Sequence, residues 1–188
     1  MNSHLWWNVS RSAGIVAWVL SSASILWGVL LATRVLSDGP KPAWHLDLHK
    51  WLGFLTVLFT GLHMAALVAD NYVTFTAVDL LVPLASAWRP FPVALGVLSM
   101  YGLVAVQATS YAMKKLSKTL WRRVHMTSYA VFTLVTLHAL LAGSDAGKRL
   151  FSSFSVALVM STAAVVSLRL VVGRKHTQKR KTDAVTRT

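Results

Sequence analysis

The chain has 188 residues, 55% hydrophobic and 13% charged, with 19 Lys and Arg against 6 acidic residues and a formal net charge of +13. That composition excludes an ordinary soluble domain and fits a small polytopic membrane protein in a lipid bilayer. Cysteine is absent, which excludes disulfides, thiolate-held iron–sulfur clusters and covalent haem attachment through C-x-x-C-H.

Uncharged runs predict five membrane-spanning helices: Ser12–Thr33, Trp51–Ala69, Pro90–Met113, Val124–Ser144 and Leu150–Leu168. Each is near the roughly 20 residues that cross a hydrocarbon core. The stretch Asn71–Trp88 carries Asp79 and Pro83 and reads as a loop with a short interfacial helix, with a sixth span as the alternative. The N-terminal residues lack a basic leader and do not read as a cleaved signal peptide. The expected organisation is an all-α membrane bundle over residues 1–172, followed by a polar, basic and disordered tail over residues 173–188.

Lys and Arg counts set the expected orientation. One side collects Arg34, Lys41, Lys50, Lys114, Lys115, Lys118, Arg122, Arg123 and the tail. The other has Arg11, Arg89, Lys148 and Arg149, with Asp70, Asp79 and Asp145. The basic side is expected in the cytoplasm and the N-terminus outside, in a bacterial cytoplasmic membrane. Anionic lipid and an acidic partner are the natural counterparts of such a charged face. No recognised nucleic-acid motif accompanies the charge, so nucleic acid is not an expected partner.

The second and fourth spans share a plan. His49 and His63 are fourteen residues apart, and His125 and His138 thirteen apart. His63 and His138 each lie seven residues before an aspartate, Asp70 and Asp145. The two spans run in the same direction, so His49 pairs in depth with His125, and His63 with His138. Histidine is costly in hydrocarbon unless something uses it. The four imidazoles read as holding two non-covalent haems stacked across the bilayer, about 20 Å apart along the helices, with interhelical hydrogen bonding as the plainer account. Fourteen steps bring His49 and His63 to within about 40° of one face, whereas thirteen leave His125 and His138 about 140° apart. The fourth helix then needs a local irregularity, a tilt, or haems meeting it on different sides.

Other residues are candidates for the same site. Gly53 and Gly61 would admit a flat porphyrin or simply let helices pack closely. Phe132 lies midway between His125 and His138, where an aromatic would sit between the haems; Phe54 and Phe59 compete for that place. Arg11 would reach outer haem propionates, and Arg34, Lys50, Arg122 and Arg123 inner ones, though topology alone accounts for all of them. His45, Asp47 and His49 form a possible metal cluster at the inner surface, with an exposed interfacial histidine as the plainer account.

His49-Lys50 with His63, and His125 with His138, resemble the ferric reductase-like transmembrane domain, which includes NADPH oxidases, ferric-chelate reductases and the haem subunit of methionine sulfoxide reductases. The spacings of fourteen and thirteen are those of the oxidases. The resemblance implies two b-type haems, with His49 and His125 ligating the inner one and His63 and His138 the outer. It implies transmembrane electron transfer from a cytoplasmic donor to an outer acceptor, either ferric chelate, oxygen or a partner reductase. The oxidases carry a sixth helix and a flavin and nicotinamide module. These 188 residues show five predicted spans and no Gly-rich nucleotide fingerprint. A separate donor is therefore expected: a flavoprotein, a ferredoxin-like carrier or a quinol. The competing readings are a quinol-oxidising cytochrome b subunit, a histidine-based metal or proton transporter, and a haem-free scaffold subunit. The absence of Asp and Glu from the predicted spans counts against cation conduction.

Overall fold

In the computed structural model the described residues are 4–33, 43–71, 73–145 and 147–185, with side chains described as far as residue 167. Expectations placed on Arg34 and Lys41 lie outside them. The elements are α1 (Leu5–Thr33), α2 (Ala43–Ala69), α3 (Ala77–Leu81), α4 (Pro90–Tyr111), a 3-10 turn at Met113–Lys115, α5 (Lys118–Met126), α6 (Ser128–Ala142) and α7 (Arg149–Val185). Five segments are long and apolar enough to cross a membrane: α1, α2, α4, α5 with α6, and α7 as far as Ser167.

Local chemistry sets the ends. Pro90 occupies the first turn of α4, where its missing N–H costs nothing, and Arg89 before it adopts a left-handed conformation (φ 44°). The Arg89 guanidinium stacks over Trp88 and donates to the Leu141 carbonyl at 2.7 Å, tying this corner to the end of α6. Among the described residues between 71 and 88, the one helix is the five-residue α3, too short for a sixth span. A reciprocal cap starts α3: the Asp79 N–H donates to the Thr76 hydroxyl oxygen, and the Thr76 N–H donates to the Asp79 carboxylate. The Thr76 hydroxyl, which donates to the Asp79 carboxylate at 2.7 Å, and then the Thr76 N–H hold the exposed Asp79 carboxyl below its ordinary range. α7 runs without a break to Val185, so the backbone marks no boundary at residue 173. The basic run Lys175–Lys181 holds no glycine or proline to interrupt it.

α1 is the central post. It packs along α2 and also meets α6 and α7, while α4 packs along α6. Trp18 of α1 is only 1% exposed, lies against Phe151 and Phe154, and donates its indole N–H to the Thr136 hydroxyl at 3.0 Å. Ser22 and Thr162 share a buried hydroxyl bond of 2.7 Å between α1 and α7. Hydrophobic attraction cannot hold helices together in lipid, so close packing and buried polar pairs such as these do. Gly102 serves the same end, because a β-carbon there would stand 2.5 Å from Val131 of α6. α2 and α6, by contrast, make no more than a marginal contact. A slot separates them.

Candidate functional site

Both histidine pairs face each other across that slot. The rings of His49 and His125 have their centres 5.9 Å apart with planes at 68°, and those of His63 and His138 are 6.4 Å apart at 77°. Two imidazoles on opposite sides of one metal, with metal–nitrogen bonds near 2.1 Å, have ring centres about 6.4 Å apart. The in-register pairing means that α2 and the α5–α6 segment run in the same direction.

The thirteen-residue spacing is accommodated by a break. α5 ends at Met126 and α6 begins at Ser128. The Thr127 N–H bonds back to Val124 at 3.0 Å, a three-residue bond, and its hydroxyl donates to the same carbonyl at 2.6 Å. This tighter turn re-phases the segment, so that His125 and His138 both reach partners on α2.

The other ring nitrogen of each histidine is also engaged. His63 Nδ1 lies 2.8 Å from the Ser10 carbonyl and 3.0 Å from the Ser10 hydroxyl. His138 Nδ1 lies 2.8 Å from the Pro92 carbonyl. His49 Nδ1 is 3.4 Å from the Ser24 hydroxyl. His125 Nδ1 is 3.5 Å from the Ser110 hydroxyl. An Nδ1–H that donates to oxygen fixes the tautomer that leaves Nε2 unprotonated, the form that binds metal.

Around His63 and His138 lies a partly open cavity of about 170 Å³. Its walls are mainly apolar and include Gly14, Thr60, Met64, Gly96 and Val97, with Phe75, Leu80 and Trp88 from the loop above. Arg11 lines it too, paired with Asp145. Lys148 also bridges Asp145 at 2.7 Å. Both cations hold the Asp145 carboxyl below the ordinary aspartate range, the Arg11 hydrogen bond being the larger cause.

The remaining sequence candidates fall as follows. Phe132 is buried in a core cluster with Trp18, Ile25 and Val29. Gly53 faces Gln107 of α4, and Gly61 is exposed, with open space for 4 Å around the place a β-carbon would take. Phe54 is exposed and stacks edge-on with Trp51. His45 stacks on Trp27 and Trp44, and among the described residues no three His, Cys, Asp or Glu side chains converge as a metal cluster. Sequence reasoning missed Gly14, Gly28 and Gly96, which abut His63, His49 and His138. It also missed Trp121, whose ring stacks on His125 at 5.1 Å and whose buried indole N–H has no partner among the described residues.

These features suit haem. Two opposed imidazoles are too few for a bare ion but complete an iron already held by four porphyrin nitrogens. The orphaned Trp121 N–H would suit a propionate oxygen at the His125 end.

A comparison with protein families matches residues 13–136 to the ferric reductase like transmembrane component. The match ends two residues before His138. Comparisons with curated proteins and with solved structures gave no match. Domains of the matched kind generally bind haem and work with redox partners, and the match suggests transmembrane electron transfer. With about two-thirds of its length covered by that match and five apolar helices of spanning length, the chain is an integral membrane protein that belongs to the ferric reductase-like transmembrane family.

Proposed function

We propose that the chain carries two b-type haems, the inner held by His49 and His125 and the outer by His63 and His138. It passes electrons from a cytoplasmic flavoprotein, ferredoxin-like carrier or quinol to an outer ferric chelate, oxygen or partner reductase. The N-terminus lies outside a bacterial cytoplasmic membrane and residues 173–188 lie in the cytoplasm. The observation that carries this reading is the pair of facing imidazoles at each of two depths, across a slot between helices that do not pack together.

When bound, the haems supply one-electron iron chemistry and divide the crossing into two short hops. The protein does the rest. The four imidazoles orient the rings, and Phe132 packs the layer between the two levels with Trp18 and keeps it dry. Arg11 and Trp121 would receive propionates at opposite ends. Lys50, Lys114, Lys115, Lys118, Arg122 and Arg123 present a positive surface beside the inner pair, suited to an acidic donor.

The test is an optical spectrum of the purified protein, oxidised and dithionite-reduced, with haem quantified as the pyridine complex. Two six-coordinate low-spin b haems per chain are expected. His63→Ala and His138→Ala should each remove the outer haem alone, and His49→Ala and His125→Ala the inner. A colourless protein, or variants that lose both haems or neither, would overturn the assignment.

A further inference from the structure

Three of the four histidines meet the same small device on a neighbouring helix. His63 faces the carbonyl of Ser10 and the bare α-carbon of Gly14. His138 faces the carbonyl of Pro92 and Gly96. His49 faces the Ser24 hydroxyl and Gly28. In each case the glycine follows the hydrogen-bonding residue by four positions. A helical side chain leans toward the N-terminus and covers the turn before it. Glycine at the fourth position therefore uncovers the carbonyl one turn back, and a ring can drop onto it. A β-carbon would stand 3.0 Å from His63 Nδ1, 3.1 Å from His49 Cε1 and 2.8 Å from His138 Nδ1. His125 is the exception. It meets the end of α4, where Ser110 offers a hydroxyl at 3.5 Å.

Resting on the haem reading above, we infer that Gly14, Gly28 and Gly96 are positioning residues that set the redox potentials of the haems by admitting Nδ1 of each ligand to an oxygen of the neighbouring helix, a backbone carbonyl beside Gly14 and Gly96 and the Ser24 hydroxyl beside Gly28. An imidazole that donates from Nδ1 is the more basic ligand at Nε2. A more basic ligand stabilises ferric over ferrous iron and lowers the potential. The outer site has two carbonyl-bound rings, and at the inner site His49 has a hydroxyl oxygen. Substitution at Gly14 or Gly96 therefore acts on the outer haem, and substitution at Gly28 on the inner. No side chain at these three positions need touch iron or electron donor.

The experiment is a spectroelectrochemical titration, with low-spin EPR, of detergent-purified wild type, Gly14→Ala, Gly96→Ala, Gly28→Ala and the control Gly147→Ala, where a β-carbon meets nothing within 4 Å. Gly14→Ala and Gly96→Ala should raise the outer potential and shift its EPR signal, or in the extreme lose the outer haem alone. Gly28→Ala should do the same to the inner haem, and Gly147→Ala should leave both as in wild type. Fully loaded Gly14→Ala and Gly96→Ala proteins with wild-type potentials and EPR would overturn the inference. Simultaneous loss of both haems in those variants would overturn it also, since the effect would then be general to the fold. A wild type without haem would instead refute the earlier reading, as would histidine variants that lose neither haem or both.

Discussion

Trp18 and Thr136 are joined by an indole-to-hydroxyl hydrogen bond of 3.0 Å, buried between α1 and α6. The bond sits in the layer between the two histidine levels, next to Phe132. Thr136→Val keeps the shape and strands the indole N–H. A loss of about 1–2 kcal/mol is expected, the usual size of a buried interhelical bond left half-made. Thermal denaturation in detergent should show a lowered midpoint, with the haem spectrum below the transition unchanged.

Asp145 makes stability depend on acid. Its carboxyl is held low by Arg11 first and Lys148 second. A carboxylate with a depressed folded pKa contributes stability that is complete above its unfolded value, about 4. That contribution is lost as pH falls through the lower folded value. The thermal midpoint should therefore drop between about pH 4 and lower pH, and less so in Asp145→Asn. Asp145→Asn should already be the less stable protein at neutral pH. Melting curves across that range check both expectations.

The break at Thr127 is a matter of phase. Inserting one alanine after Thr127 would turn α6 by about 100° relative to α5. His125 and His138 could then no longer both meet α2. The expected outcome is one haem per chain instead of two, read from the pyridine complex. Thr127→Ala removes only the hydroxyl bond to Val124, and two haems should remain.

The cationic face beside the inner pair predicts a salt effect. Reduction by a small acidic electron donor should slow steeply as ionic strength rises, because steering charges are screened within about 10 Å at 0.1 M. Replacing Lys114, Lys115 and Lys118 with glutamine should lower the rate at low salt and flatten that dependence. Stopped-flow spectra of haem reduction provide the measurement.

The helices were legible because lipid-crossing segments announce themselves as uncharged runs, and the short α3 because Asp79 and Pro83 interrupt one. The depth matching of the histidines was legible from their common distance to Asp70 and Asp145. The awkward thirteen-residue spacing left a local irregularity, a tilt, or haems on different sides as alternatives, and the break at Thr127 is an irregularity of the first kind. The glycines were not legible in the same way. Gly53 and Gly61 lie on the histidine-bearing helix itself, whereas the glycines that meet the rings lie on α1 and α4. A period along one helix says nothing about which neighbour will face it. Arg11 and Asp145 are separated by 134 positions, so their pairing needed the tertiary arrangement.

The slot between α2 and α6 has a consequence for manufacture. α1 lies along one flank and α4 along the other, each touching the opposite flank more lightly, and little polypeptide crosses the slot itself. Whatever fills that space joins the two flanks, and on the haem reading a pigment molecule is a structural rivet as well as a wire. Ligand that binds only the folded form raises its stability by mass action. A cell starved of porphyrin would then hold fewer copies of this protein, since unriveted chains open more often and are cleared by proteolysis.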